Sequence, residues 1–296
     1  MDEDFVRCYI GDIHLSMLKT VQRESGKFDE WELIQGSEFD YKHSYGYKEN
    51  FIRDEPLLEA LAKRSVIAET RQPTSVKPSI LWKNALNIAD VLTLLSLARA
   101  RYHPTFAIEK NIGQQYSIGW GLIAEEVAGR QDIILISKLG VFISEALTFI
   151  ENNPGWLEER GFIPSIYWYE QAQASFFIKA PSVLEMALYW ISIEIIAGMY
   201  IEKNGIKEKR KKGRVKRFIV DNGYTGSNWI FLDEVINDWY TTRNAAFHEG
   251  EQSLPVNVLI KRRQQVRDFT SLVLVEMLQE QDEARKNEIA ARILNY

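Results

Sequence analysis

Two hydrophobic patterns divide the chain. In roughly the first 85 residues, β-branched, aromatic and polar residues mix in short runs, as in 5–15 and 31–41, which predicts strands. From about Ile80 onward, apolar residues recur at three- and four-residue steps, the period of a helix with one buried face. The pattern therefore predicts an α+β protein that is mostly α.

The N-terminal half is expected to mix strands with helices. We predict helices at 55–63, 87–101 and 132–150, a loop at 72–78 and a short strand at 115–122. The run Asn152-Asn153-Pro154-Gly155 should end the last of these helices. We place a domain boundary there, with an N-terminal mixed domain over 1–155, a sensor or regulatory region, and a helical bundle over 156–296.

The C-terminal half is predicted to be entirely helical. Ser182 and Glu185 have the spacing of a capping box, which would open a helix that runs to about residue 202. Further helices are expected at 229–242 and 255–279, each with apolar residues on one face. We expect these helices to lie in one helical bundle.

Composition excludes several classes of protein. The acidic start of the chain lacks the basic region of a signal peptide, and no apolar run reaches 18 residues, so we expect no membrane association and a cytoplasmic location. Cys8 is the only cysteine, and His14, His43 and His103 are scattered. A multi-cysteine zinc site is therefore ruled out, and no metal or other cofactor is expected.

The net charge of −5 is unevenly distributed. Residues 207–217 contribute +7, so the rest of the chain carries −12. Such a concentrated basic segment suits a single site that binds phosphates. An ordinary solvated connection between two core helices is the alternative. The candidate RNA-binding residues are Lys207, Lys209, Arg210, Lys211, Lys212, Arg214, Lys216 and Arg217.

A second candidate site follows the helix predicted at 229–242. Arg243 offers a fixed set of donors for a phosphate, and His248 can take or give a proton near neutral pH. Together they suit cleavage of RNA by its own 2′-hydroxyl, a reaction that needs an acid, a base and a cation but no metal.

The segment 243–250, Arg-Asn-Ala-Ala-Phe-His-Glu-Gly, resembles the signature of HEPN domains. That signature has an Arg, commonly a polar residue next, and a His separated from the Arg by four to six residues. The helix predicted at 182–202, with Ala187-Leu188-Tyr189-Trp190 and Glu194, is similar to the first core helix of the family. The resemblance covers roughly residues 165–296.

The resemblance implies an up-and-down bundle of four to five helices that forms a homodimer through the face that carries the motif. Many catalytic HEPN proteins are metal-independent endoribonucleases of toxin–antitoxin and anti-phage systems. By this resemblance Arg243 would bind the scissile phosphate, His248 would exchange protons and Asn244 would position one of them. RNA would be the substrate, and an antitoxin or another regulatory protein a possible partner.

Three other interpretations stay open. His248 could be only a cation at a helix C-terminus, and Arg243 could form a surface ion pair with Asp238. The bundle could also be a non-catalytic HEPN-like module that dimerises and binds RNA or a protein. Finally, the chain could be a metal-free hydrolase or a regulator that acts through its N-terminal half.

Overall fold

The computed structural model describes residues 3–11, 13–38, 60, 63–74, 77, 79–100, 105–112, 115–120, 132–175, 183–224, 232–248 and 255–294. The chain divides into two compact units that interleave along the sequence. The first comprises Met1–Ser96, Arg101–Gly129 and Ile136–Ser144, and the second comprises Leu97–Ala100, Arg130–Leu135 and Glu145–Tyr296. The single boundary after residue 155 stays a prediction; in these units, Leu97–Ala100, Arg130–Leu135 and all residues from Glu145 onward belong to the second one.

The first unit contains an antiparallel sheet of five strands in the order β2-β3-β1-β4-β5. The strands are β1 (Glu3–Ile10), β2 (Glu32–Gln35), β3 (Val66–Pro73), β4 (Thr105–Ile112) and β5 (Gln115–Trp120). Strands predicted at 5–15, 31–41 and 115–122 correspond to β1, β2 and β5. The first two are shorter than expected, because a helix already begins at Leu15 and a 3-10 turn begins at Gly36.

Buried charged side chains of three neighbouring strands meet at the central strand β1. Its register places Arg7 opposite Glu69 of β3 and Glu109 of β4. Arg7 donates to these two carboxylates at 2.7 and 2.6 Å, and Tyr9 donates its hydroxyl to Glu109 at 2.8 Å. Burial, and then the Glu109 charge, raise the pKa of Tyr9. The charges satisfy one another across neighbouring strands, which allows them to lie inside the sheet.

Helices in the described part of the chain also contact this sheet. The first, α1 (Leu15–Ser25), contacts β2 and ends at Gly26, whose φ of 59° is left-handed. The second, α2 (Ser79–Ala98), is bonded to β3 because Asn84 donates to the Thr70 hydroxyl at 3.3 Å. The helix predicted at 87–101 is thus confirmed but begins earlier. The helix predicted at 55–63 lies almost entirely outside the described residues.

The remaining helices belong to the second unit, except that the part of α3 before Glu145 belongs to the first. They are α3 (Leu139–Asn152), α4 (Pro154–Glu159), α5 (Phe162–Ser175), α6 (Val183–Lys203), α7 (Lys211–Asp221), α8 (Leu232–His248), α9 (Val256–Leu278) and α10 (Glu283–Leu294). The protein is therefore α+β and mostly α, as predicted. The Asn152–Gly155 run separates α3 from α4 by one residue, since Pro154 starts a new helix instead of a linker.

Helix α6 is the centre of the second unit. It packs against α5, α7, α8 and α9, and buried residues lie on all its sides. Ser165 of α5 and Ser192 of α6 donate to each other's carbonyl oxygens at 2.9 and 2.8 Å, which brings these two helices close together. Trp190 of α6 meets Trp239 of α8 edge to face, with ring centres 6.5 Å apart. These contacts fix α8 against the central helix.

In the part of the chain that the structure describes, helices α2 and α6 are long and apolar enough to cross a membrane by length and composition. Half of the most apolar window of α2 and 61% of that of α6 are buried within the protein. Core helices of soluble proteins share these properties, so the observation is weak support for a membrane location. The α6 helix owes its apolar character to its central position, where it contacts neighbours on several sides.

Candidate functional site

The Arg243 motif lies inside a helix. We expected the helix to end near residue 242, whereas α8 continues to His248. Ala245 and Ala246 are strong helix formers, and no Gly or Pro interrupts the chain before Gly250. Arg243 and His248 are thus about one and a half helical turns apart. The side chain of His248 lies outside the described part of the structure.

Arg243 is held from two directions. Its guanidinium lies 3.6 Å from a carboxylate oxygen of Glu194, on α6, and donates to the amide oxygen of Asn244 at 3.0 Å. The side chain is 14% exposed. The alternative pairing of Arg243 with Asp238 is wrong, because Asp238 pairs with Arg262 at 2.9 Å on another side of α8.

Glu194, on α6, forms ion pairs with residues of both α7 and α8. One of its carboxylate oxygens faces Arg243, and the other lies 3.1 Å from the ammonium of Lys211, the first residue of α7. The Glu194 side chain is only 12% exposed, whereas that of Lys211 is 59% exposed. The start of the basic helix and the motif arginine therefore meet on one half-buried carboxylate.

A second contact joins α7 to α8. Lys212 donates to the amide oxygen of Asn237 at 2.8 Å, and its ammonium lies 5.8 Å from the centre of the Tyr240 ring. Tyr240 in turn meets the buried Trp190 of α6 edge to face, with centres 5.9 Å apart. The basic helix thus lies beside the turns of α8 that precede Arg243.

The rest of the basic segment remains at the surface or is paired locally. Lys207, Lys209 and Arg210 are exposed, in the loop that leads into α7. Arg214 donates to the Glu208 carbonyl at 3.0 Å, and Arg217 pairs with Asp221 at 2.8 Å. The positive charge that is open to solvent is therefore concentrated where α7 begins.

The carboxylate of Glu208, in the loop before α7, contacts the first turn of that helix. Glu208 accepts a hydrogen bond from the backbone N–H of Arg210 at 2.8 Å. The same carboxylate lies against Gly213, where a Cβ atom would come within 2.5 Å of it. A negative group at the first turn of a helix is favourable, so Glu208 stabilises the entry into α7.

A groove lies between α8 and α9, with a volume of about 300 Å³. Its charged lining residues are Glu234 and Asp238 on one helix and Lys261 and Arg262 on the other. Arg262 donates to Asp238 and to the Thr242 hydroxyl, both at 2.9 Å. Acids and bases balance in this groove, so it has no preference for an anion, in contrast with the start of α7.

Among the described residues, no group of three or more His, Cys, Asp and Glu side chains is arranged to hold a metal ion. Glu194 entered our sequence-based interpretation only as part of the family resemblance, and neither Tyr240 nor Asn237 was linked to the basic segment. No short-range signal joins these residues, because they meet only through the packing of α6, α7 and α8.

No protein-family model, curated protein or solved structure matches this chain. The fold and the site define a mostly α protein of the α+β class. In it, a basic helix is joined to an arginine-bearing helix through a half-buried glutamate. The resemblance to HEPN domains stays a prediction.

Proposed function

We propose that this protein is a metal-independent endoribonuclease of the HEPN type, active as a homodimer. The observation that carries the proposal is the junction at Glu194, where Lys211 of the basic helix and Arg243 of the motif helix share one carboxylate. A cationic helix beside an Arg-Asn pair is an arrangement suited to a phosphodiester.

In the proposed reaction the 2′-oxygen of a ribose attacks the adjacent phosphorus and the 5′-oxygen of the next nucleotide leaves. The products carry a 2′,3′-cyclic phosphate and a 5′-hydroxyl. His248 of one copy takes the proton from the 2′-hydroxyl, and His248 of a second copy donates a proton to the leaving oxygen. Arg243 stabilises the negative charge on the phosphorane, and Asn244 holds the Arg243 guanidinium.

The proposed homodimer follows from the chemistry. One histidine cannot act as acid and base in the same step, and the motif of each chain contains one histidine, His248. A bacterial toxin or anti-phage system is the setting that the family resemblance suggests. Expression should then be toxic to cells, and His248→Ala or Arg243→Ala should relieve the toxicity.

The decisive experiment incubates the purified protein with total RNA, with and without a chelator. Wild type should cleave under both conditions and leave 2′,3′-cyclic phosphate ends, whereas His248→Ala and Arg243→Ala should not cleave. His14→Ala is the matched control, because His14 is exposed and lies in the first unit. Full cleavage by both site variants would refute the proposal, and so would cleavage that depends on a divalent metal.

A second candidate is a non-catalytic HEPN-like module that binds RNA or a protein partner. The pairing of Arg243 favours it, since a guanidinium that is 14% exposed and faces Glu194 could serve packing alone. This candidate predicts RNA binding without cleavage, unchanged in His248→Ala and weakened when Lys207, Lys209 and Arg210 are replaced by glutamine.

A further inference from the structure

Lys212, Asn237 and Tyr240 form a cluster that the proposed reaction does not use. We propose that this Tyr240 cluster binds one unpaired nucleotide of the RNA next to the scissile phosphate, with the base stacked on Tyr240 and a phosphate on Lys212. The proposal rests on the proposed function and deepens it, because it assigns a nucleotide subsite and favours single-stranded over duplex RNA.

The position of the cluster relative to Arg243 supports the assignment. Tyr240 and Arg243 are three residues apart on α8, which is about 4.5 Å along the helix axis. Asn237 lies one further turn away in the same direction. A strand that places one phosphate on Arg243 and runs along α8 toward Asn237 therefore meets the Tyr240 cluster with its neighbouring nucleotide.

The three side chains offer complementary chemistry. The ammonium of Lys212 supplies charge for a phosphate, and the Tyr240 ring supplies a flat apolar surface for a base. Asn237 is exposed and uses its amide oxygen toward Lys212 at 2.8 Å. Among the described residues, no group accepts a hydrogen bond from the Asn237 amide nitrogen or pairs with the Tyr240 hydroxyl. Both remain available to a base edge or a ribose.

The Tyr240 ring is held in place before any ligand arrives. Its edge-to-face contact is with Trp190, which is fully buried on the central helix α6. Lys212 lies 5.8 Å from the ring centre and is itself bonded to Asn237. A rigid aromatic surface costs little conformational entropy when a base stacks on it. The basic segment has no aromatic residue of its own before Phe218, so the tertiary structure supplies one from α8.

The test measures binding of a fluorescein-labelled single-stranded RNA of 12 nucleotides by fluorescence anisotropy. A series of oligonucleotides has one abasic nucleotide at successive positions, and a duplex of the same sequence is compared. For wild type, one abasic position should weaken binding about tenfold, within the range known for stacking of one base. Tyr240→Leu should weaken binding of the intact strand by the same factor. The abasic strand should bind this variant no more weakly than it binds wild type.

Matched variants keep the result interpretable. Tyr200→Leu is the control, because Tyr200 is also half-buried on the bundle and packs edge to face on Phe218. Tyr240→Phe keeps the ring and should keep the sensitivity to the abasic nucleotide. Lys212→Met keeps the aliphatic stem and should lower the slope of log affinity against log salt by about 0.7, one single-strand phosphate contact.

The outcomes separate the two proposals. If wild type binds and cleaves RNA, the subsite is refuted by equal binding of wild type and Tyr240→Leu, or by an abasic effect that persists in Tyr240→Leu. Binding of the duplex as tight as that of the single strand also refutes it. If wild type neither binds nor cleaves RNA, the proposed function itself fails. Should Tyr240→Leu not fold, an unchanged salt slope in Lys212→Met refutes the subsite.

Discussion

Glu194→Gln isolates the charge at the junction of α6, α7 and α8. Glutamine keeps the shape of the side chain and one oxygen acceptor, but it removes the negative charge that faces Arg243 at 3.6 Å and Lys211 at 3.1 Å. We expect the free energy of unfolding to fall and the affinity for RNA to rise, because two cations lose a competing carboxylate.

The two ion pairs should contribute unequally. At an effective dielectric constant of about 20, opposite charges 3.6 Å apart, as in the pair of Glu194 and Arg243, attract by roughly 4 to 5 kcal/mol before desolvation is counted. Glu194 and Arg243 are 12% and 14% exposed, so we expect about 1 to 2 kcal/mol of net coupling. Lys211 is 59% exposed, and its pair should contribute less than about 0.5 kcal/mol.

A double-mutant cycle in urea, followed by tryptophan fluorescence and circular dichroism, measures this coupling. The cycle compares Glu194→Gln, Arg243→Met and the double variant with wild type. The exposed pair of Glu159 and Lys203, with oxygen and nitrogen 2.9 Å apart, is the control and should show no measurable coupling. If the Glu194–Arg243 coupling is as small as the control, the junction does not hold the motif arginine and our reasoning about this site is wrong.

Three further predictions concern stability and reactivity. Arg7→Ala should cost about 3 to 5 kcal/mol of unfolding free energy, since two buried carboxylates lose their shared guanidinium; the exposed Arg23→Ala is its control in the same urea titration. Burial raises the pKa of the Cys8 thiol to about 12, so Ellman's reagent at pH 8 should label this thiol only after unfolding. For the same reason the free energy of unfolding should decline as the pH rises from about 9 toward 12. Rapid labelling of the folded protein would contradict this. Gly161→Ala should lower the free energy of unfolding by about 1 to 3 kcal/mol, because φ is +73° and a Cβ would lie 2.9 Å from a side-chain carbon of Met199. Gly198→Ala, in an open helical position, should instead raise it by about 0.5 to 1 kcal/mol.

Prediction of the elements from the sequence succeeded where the pattern was long and locally complete. The helices predicted at 182–202 and 255–279 correspond to α6 and α9 within a residue or two, because their apolar spacing repeats over several turns. The pattern predicted no helix after residue 279, whereas α10 follows at Glu283–Leu294. The strands β3 and β4 were also missed. Glu69 and Glu109 make them look polar, although cross-strand contacts with Arg7 allow both side chains to be buried.

The candidate site was predictable only in part. Arg243 and the basic segment were proposed from residue types and charge, and Asn244 from the family resemblance, but the partners of their side chains were not predicted. The pairing of Arg243 with Asp238, which lies five residues or about one and a half helical turns earlier, was an alternative that the sequence left open. It is wrong because Asp238 forms its ion pair with Arg262 of α9, whereas Arg243 faces Glu194 of α6.

By itself the sequence determined the long helical segments that correspond to α6, α8 and α9, that the protein is α+β and mostly α, and that its positive charge is concentrated in 207–217. These are local properties, since periodicity and charge density are read within a few turns of chain. Only the tertiary structure decided that Lys211 and Arg243 meet at Glu194 and that Tyr240 lies beside Lys212. Which charges and rings become neighbours depends on how α7 and α8 pack around α6, and this packing is decided by the buried faces of all three helices together.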